Sequence, residues 1–522
     1  MPIFLKVLDR TNKRKEPFHI RNFNRHNMSE FIDDIEKETW EEVLTKVDAN
    51  SAYNSFFNTF YLTYNKCFPH LLITKGNRRK RKHPWITKGI LKSIKRKNHL
   101  YRLYSKAPTN SNREIYVAYR NKLNHIIRFS KRLYFYNKFK DSNNNVNDTW
   151  GVINEVLKKD RKKSSYPSVF KDGDHETSDD QDYANGFNDF FINLGPSLAS
   201  KISHTAKSNN HMYSNNSTRN SIFTYPVREE ELLRVANHCL KPKKAAGYDD
   251  FKPDIVKQVL PFIVTPLTHI CNISFTTGVF PDKLKIAKVL PIFKKGESNI
   301  YENYRPISIL SCFSKILERL MSNRIINFLD ANDILCKEQY GFRPGHSTEL
   351  ALADAIDKLY DSLDKKKTCI GIFLDLSKAF DTIDHRILLN KLSFYGIRGP
   401  TLNWMDSYLS KRLQYTSYKK TMSDYAEIRC GVPQGSILGP LLFIIYINDI
   451  CHISNIAKTI LFADDTSIFF ESNNLNTLHD IVSMELNQFN DWFATNKLSL
   501  NLDKTSYIVF NKSKSFSWKK TF

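Results

Sequence analysis

The residues of this chain best suited to chemistry are two adjacent carboxylates, Asp464 and Asp465. They lie between two β-prone apolar runs, residues 459–462 and 466–470, which read as a hairpin with the acids at or near its turn. An ordinary surface turn favours Asp-Gly or Asn-Gly, and adjacent unpaired carboxylates repel unless a cation neutralises them. A solvated acidic turn would have the same local sequence. A second acid of this kind stands 89 residues earlier, where the apolar stretch 369–374 delivers Asp375 at its far end. If the two strands are neighbours, Asp375, Asp464 and Asp465 converge as hard oxygen ligands suited to Mg²⁺. Two such ions, about 3.5–4 Å apart, activate an attacking hydroxyl and neutralise a leaving pyrophosphate in an in-line displacement.

Positioning those acids takes folded domains, and the chain has the material for them. Its 522 residues are enough for about two to four domains. Hydrophobic residues make up 41%, with 36 Phe, 25 Tyr and 6 Trp, which excludes global disorder and a collagen-like protein. The net charge is +24, and its location matters more than its size. Residues 75–140 hold 21 Lys or Arg and one acid, Glu114, so this stretch alone carries +20. The eight cysteines are widely scattered with no Cys-x-x-Cys pair, and the expectation is of reduced, mostly buried thiols rather than a zinc ribbon or disulfide scaffold. Residues 1–10 interrupt their apolar stretch with Lys6, unlike a signal peptide. The longest apolar run, 440–447, is far short of the ~18–20 residues of a membrane span. A soluble, intracellular protein facing a polyanion, with no membrane partner, is expected.

Residues 30–68 have helical periodicity through Phe31, Ile35, Trp40, Val43, Leu44 and Val47. Arg78, Arg79, Lys80, Arg81 and Lys82 then open the basic stretch, and this cluster also resembles a nuclear-import signal, so a nuclear location is expected. A helical segment starts at Thr87. Over 113–139, Ile115, Tyr116, Tyr119, Leu123, Ile126, Ile127, Leu133 and Tyr134 recur at helical spacing, with Arg120, Lys122, Arg128, Lys131 and Arg132 between them. Such a helix can be a solvated face, a membrane-surface helix or a nucleic-acid contact, and aromatics beside phosphate-neutralising cations favour the last. Residues 200–221 contain 11 Ser or Asn and read as a linker, dividing a basic, largely helical region (1–222) from a second region (223–522). Beyond the linker, short apolar strands alternate with helices, an α/β or α+β texture.

The second region resembles the reverse transcriptase of non-LTR retrotransposons, of the jockey-like or chicken-repeat-like kind. The stretches that carry the resemblance are, in order, Lys288-Val-Leu-Pro-Ile-Phe-Lys-Lys-Gly296, Tyr304-Arg-Pro-Ile-Ser-Ile-Leu310 and Gln339-Tyr-Gly-Phe-Arg-Pro-Gly-His-Ser-Thr348. They continue with Phe373-Leu-Asp-Leu-Ser-Lys-Ala-Phe-Asp381, Gly431-Val-Pro-Gln-Gly-Ser-Ile-Leu-Gly-Pro440, Phe462-Ala-Asp-Asp465 and Asn496-Lys-Leu-Ser-Leu-Asn-Leu-Asp-Lys504. The resemblance implies an α+β fold, a right-hand polymerase palm and fingers, behind the basic helical region. It implies that Asp375 and Asp464 are the principal metal ligands for two Mg²⁺ (Mn²⁺ as a substitute), with Asp465 in support.

By the same resemblance Phe380 is the ribose gate, whose ring leaves no room for a 2′-hydroxyl and so favours deoxynucleotides. Arg305 grips the incoming triphosphate, with Lys294 or Lys295 as a second cation, because a planar guanidinium clamps phosphate oxygens in bidentate fashion. Gln434 and Gly435 belong to a loop that brings backbone close to primer, template and nucleotide, an approach that glycine permits. Lys504 serves as an acid for the departing pyrophosphate. The implied partners are an RNA template, a DNA primer and dNTPs. Upstream, His83-Pro-Trp-Ile-Thr-Lys-Gly-Ile-Leu-Lys-Ser-Ile-Lys-Arg-Lys-Asn98 and Phe187-Asn-Asp-Phe-Phe-Ile-Asn193 resemble the connector between endonuclease and polymerase in such elements. No endonuclease segment is recognised before it, and 18 residues follow Lys504, so a fragment lacking endonuclease and thumb is expected. A catalytically inactive nucleic-acid-binding remnant is the alternative.

Overall fold

A computed structural model describes residues 18–73, 83–142, 145–157, 170–172, 175–177, 179–200, 202, 218–241, 244–419 and 421–512. The cluster Arg78, Arg79, Lys80, Arg81 and Lys82 and most of the Ser/Asn-rich stretch lie outside the described residues. The chain divides into two compact units, one of residues 1–21 and 70–166 and the other of residues 22–69 and 167–522.

The smaller unit contains the basic helices. Strand Phe18–Arg21 pairs antiparallel with His70–Ile73. Helices Lys88–Lys106 and Asn110–Asp141 start where Thr87 and Thr109 accept hydrogen bonds from the backbone N–H of Ile90 and Asn112, satisfying donors that a helix start leaves unpaired. The 32-residue helix buries little more than Leu123 and Phe135. Its periodicity over 113–139 is helical as expected, yet Ile115, Ile126, Phe129, Leu133 and Tyr136 remain exposed.

The larger unit has a continuous core. Residues 22–69, read from sequence as part of the N-terminal region, belong to it: helix Ala49–Cys67 sets Phe60 4.9 Å from Phe251 and Phe56 5.2 Å from Phe313, centroid to centroid. Helix Pro253–Thr277 is long and apolar enough to cross a membrane by length and composition, but Val256, Val259, Ile263, Leu267 and Ile270 pack in this core.

Besides the short pair Phe170–Asp172 and His175–Thr177, two larger sheets carry the rest of the described strands. A five-stranded mixed sheet runs in the order Ala426–Ile428, Arg412–Tyr418, Ala287–Phe293, Tyr304–Ile309, with Thr421–Met422 paired to the second of these. A four-stranded antiparallel sheet runs Lys458–Phe462, Asp465–Ser472, Thr368–Leu374, Ser506–Phe510. Helices with one mixed and one antiparallel sheet fit the expected α+β class. One expectation is corrected: Cys336 and Cys451 form a disulfide, although their separation of 115 residues carries no sequence signal.

Candidate active site

The adjacent acids sit on a tight hairpin. Phe462 pairs with Asp465, so Ala463 and Asp464 alone form the turn. Ala463 adopts φ 56°, a left-handed conformation in which the Cβ crowds the following carbonyl. The neighbouring strand fixes where Asp375 falls. Thr466 pairs with Leu374 across Asp465–Ser472 and Thr368–Leu374, which sets Asp375, the next residue on, opposite Asp465. Three carboxylates thereby stand at one end of the four-stranded sheet. Burial and the charges of Asp464 and Asp375 hold the Asp465 carboxyl above its usual range, while Lys504 opposes the shift. Lys504 Nζ forms an ion pair with Asp375 Oδ2, and Asn501 N–H donates to the Asp375 carbonyl at 2.8 Å. Adjacent hard oxygen donors of this kind are of the type that suits a divalent cation such as Mg²⁺.

What holds the strained turn is Gln339, whose motif was visible in the sequence but whose role was not. Its side chain is buried, and Oε1 accepts from the N–H groups of Gly341 at 2.7 Å and Ala463 at 3.1 Å. Residues 338–340 run parallel to the hairpin: Leu461 N–H donates to Glu338 O at 2.9 Å and Tyr340 N–H to Leu461 O at 2.8 Å. Gly341 is required for this approach, since a Cβ there would lie 2.1 Å from Ala463 N.

A group of cations close enough to repel one another includes Lys504, the partner of Asp375. Arg305, on Tyr304–Ile309, pairs in register with Ile292 and projects from the exposed side of the strand. Lys294 follows the partner strand, and its N–H donates to Asn303 O at 2.8 Å. Its ammonium is pushed below the usual lysine range by burial and by repulsion from Arg305, Lys504, Lys295 and Lys378. Lys295, like Lys294, is exposed. Lys378 stands within the motif at residues 373–381, where the sequence by itself assigns it no role. It is half-buried, has φ 54°, and is shifted down by burial and the charge of Arg305 while Asp381 pulls it up. Its position between Asp375 and Phe380 was the available signal.

Phe380 leans on Phe443, with centroids 4.8 Å apart, and the Phe342 ring lies 6.1 Å away. The ring is half-buried, so one part remains open. Beside it, Asp381 is half-buried and desolvation pushes its carboxyl up to about 6, against the stabilising effects of Gln434 and Lys378. Gln434 Nε2 donates to both oxygens of Asp381 at 2.8 Å, so this amide nitrogen is engaged by the protein itself. Gly435 has φ 133°, and a Cβ there would lie 2.3 Å from Ser308 O. Its close approach is therefore to the strand that carries Arg305, tied also by Ser308 N–H donating to Gln434 O at 2.8 Å. Below this loop, buried Glu318 accepts from the N–H of Ile437 at 2.7 Å and of Leu438 at 3.3 Å. Burial raises the Glu318 carboxyl and Arg412 counters it. Neither Asp381 nor Glu318 was identified from sequence, because their partners are remote in the chain.

In the other unit, Arg128, Lys131 and Arg132 are exposed on Asn110–Asp141, and Arg120 is half-buried. Lys131 lies 5.5 Å over the Trp85 ring and Arg120 5.7 Å over Tyr116. Among the described residues none of the four forms an ion pair with a carboxylate.

Residues 292–519 match the family described as reverse transcriptase (RNA-dependent DNA polymerase). The chain is similar to the probable RNA-directed DNA polymerase from transposon BS of Drosophila melanogaster, 32% identical over 54% of this chain and 32% of that protein. It is similar also to the RNA-directed DNA polymerase from mobile element jockey of Drosophila funebris, 29% identical over 55% of this chain and 32% of the relative. A third relative, the probable RNA-directed DNA polymerase from transposon X-element of Drosophila melanogaster, is 29% identical over 54% and 31%. The chain spans about a third of the length of these relatives.

Proposed function

From a chain whose residues 292–519 form a domain of the reverse transcriptase family, we propose an RNA-directed DNA polymerase of a non-LTR retrotransposon. In this reading the four-stranded sheet is the palm and the strands around Arg305 are fingers. The primer 3′-oxygen attacks the α-phosphate of a dNTP, the new O3′–Pα bond forms as the bond to the β-phosphate oxygen breaks, and pyrophosphate leaves. Asp375 and Asp464, supported by Asp465, would hold two Mg²⁺, which when bound favour the ionised 3′-hydroxyl and neutralise the leaving group. The protein's own cations do the rest. Arg305 clamps the triphosphate, with Lys294 and Lys378 adding charge along the same path. Lys504, standing at Asp375, is placed to give a proton to the departing pyrophosphate. Phe380 packs against the sugar and excludes a 2′-hydroxyl. The basic helix of the smaller unit holds RNA through its phosphates.

The observation that carries this reading is the strand register that sets Asp375 opposite Asp465 beside the Asp464 turn. Primer extension on an RNA template tests it. Asp375→Asn or Asp464→Asn should lower Mg²⁺-dependent dNTP addition by about 10³-fold, roughly 4 kcal/mol of transition-state stabilisation, while RNA affinity stays the same. Near-normal extension by either variant would refute the assignment, and tight RNA binding with no extension by the intact chain would favour an inactive nucleic-acid-binding remnant.

A further inference from the structure

The helices Glu229–Cys239 and Cys312–Ala331 line a cavity of about 870 Å³ that the polymerase chemistry does not use. Three guanidiniums face it, from Arg228, Arg234 and Arg319. Its acid, Glu231, already holds Arg324, with Oε1 to Nη1 at 2.8 Å and Oε2 to Nη2 at 3.1 Å. Among the described residues Arg228, Arg234 and Arg319 form no ion pair, so the cavity keeps a surplus of positive charge. Helix Cys312–Ala331 has two working stripes. Ser314 and Glu318, four apart, support the start of helix Leu438–Tyr446. Arg319, Asn323 and Asn327, also four apart, line the cavity and offer a guanidinium and two amides.

The segment that leads to the cavity carries aromatic surface, Tyr225 at its lining and Phe223 two residues before it. Phe223 is 81% exposed and Tyr225 50%, alternating with half-buried Ile222 and Thr224 as in an extended chain. Arg324 lies 4.6 Å over one face of the Tyr225 ring. Two residues of extended chain span about 6.6 Å, roughly twice the 3.4 Å base step within a helix. Rings so spaced suit bases of a strand pulled out of its stack. A free anion would use the arginines and leave both rings idle, whereas a single-stranded polynucleotide uses all of them, with phosphates on guanidiniums and bases on rings.

We propose that this cavity is a second nucleic-acid site, which binds a short single-stranded segment through Arg228, Arg234 and Arg319, with Phe223 and Tyr225 as its stacking platform. The site goes beyond the polymerase reading and does not require catalysis.

Arginine footprinting on the full chain tests it. Phenylglyoxal modification, followed by peptide mass spectrometry, is run with no ligand, with a ten-nucleotide single-stranded RNA, with the DNA of the same sequence, and with inorganic pyrophosphate. RNA or DNA should slow modification of Arg228, Arg234 and Arg319 at least about fivefold, and the ratio of the two says which sugar is preferred. The Asp464→Asn chain should show the same protection, which separates this site from the metal site even if extension is never detected. A chain carrying Arg228→Gln, Arg234→Gln and Arg319→Gln together should bind the RNA about tenfold more weakly, with a salt slope lower by about 2, from roughly 0.7 per phosphate contact. Unchanged modification rates with either oligonucleotide would overturn the proposal. So would equal protection by pyrophosphate, which would make the cavity an anion site with no role for the rings.

Discussion

In the larger unit, polar groups of the candidate site are gripped by buried or half-buried partners: Gln339 on Ala463, Asp381 on Gln434, Glu318 on Ile437 and Leu438. Along Asn110–Asp141, Leu123 and Phe135 are buried, while Arg128, Lys131 and Arg132 face water. The difference matches the roles proposed for the two regions. Stabilising a developing charge needs fixed geometry, and geometry is fixed by close packing and by donors and acceptors with no water to compete for them. Holding a polyanion needs charge density and counterion release, which tolerate mobile side chains. Variants of the first region should therefore change the rate of chemistry with little effect on RNA affinity, and variants of the second should do the reverse.

The largest separation is expected at the support of the turn. Gly341→Ala places a Cβ 2.1 Å from Ala463 N, too close for backbone to absorb without moving the acids. Extension should fall about 100-fold or more, roughly 3 kcal/mol in barrier, with RNA affinity within twofold in a filter-binding measurement. Equal losses of extension and of RNA binding would erase the contrast.

Gln339 sharpens the comparison. Gln339→Ala leaves the N–H groups of Gly341 and Ala463 without their buried acceptor, a cost of about 1–3 kcal/mol. The Mg²⁺ concentration giving half-maximal extension should rise several-fold. Gln339→Glu keeps an acceptor oxygen and should recover much of the loss, whereas identical Mg²⁺ curves for wild type and Gln339→Ala would show that the turn does not depend on this side chain.

Asp381 gives an effect with a pH signature. Its carboxyl is pushed up to about 6 from the ordinary aspartate value of about 4, so between those values the folded chain holds the proton and the unfolded chain releases it. Stability then falls as pH rises from about 4 to about 6 and is level above, an effect of up to about 3 kcal/mol. Below about pH 6 the protonated carboxyl can no longer accept from Gln434 through both oxygens, and KM for dNTP should rise. Asp381→Asn should raise KM about tenfold at pH 7.5 with a smaller change in kcat, and should flatten its pH dependence. A parallel pH curve in the variant would remove Asp381 from this role.

The smallest effect on chemistry is expected from the basic helix. Replacing Arg128, Lys131 and Arg132 together with Gln should leave kcat unchanged at saturating template. RNA affinity should weaken, and the slope of log affinity against log salt should flatten by about 2, from roughly 0.7 per phosphate contact. An unchanged slope would place the RNA on another surface.

What the sequence disclosed and what it withheld follow from distance along the chain. Asp375 and Asp465 were legible because each ends or begins a short apolar strand, and the pairing of Leu374 with Thr466 brings them together. The helix at Asn110–Asp141 was legible from its spacing alone. Gln339, Asp381 and Glu318 were not, since their partners lie 124, 53 and 119 residues away and no local pattern marks such a pair. The same reason hid the Cys336–Cys451 disulfide. It also hid the place of helix Ala49–Cys67, whose aromatic stripe could pack anywhere until Phe251 and Phe313 supply its partners. Arg305 and Gly435 were read separately, but backbone contact of Ser308 with Gln434 and Gly435 joins them into one unit.

The central claim is that Asp375, Asp464 and Asp465 form one divalent-cation site beside the Phe380 and Arg305 groups. Mn²⁺ binding, followed by electron paramagnetic resonance in the presence of RNA template, DNA primer lacking its 3′-hydroxyl and dNTP, tests this most directly. The wild-type chain should hold two Mn²⁺ ions per molecule, removed competitively by Mg²⁺, and Asp464→Asn should hold one or none while still binding the primer–template. The same number of tightly bound ions in wild type and Asp464→Asn would contradict the account.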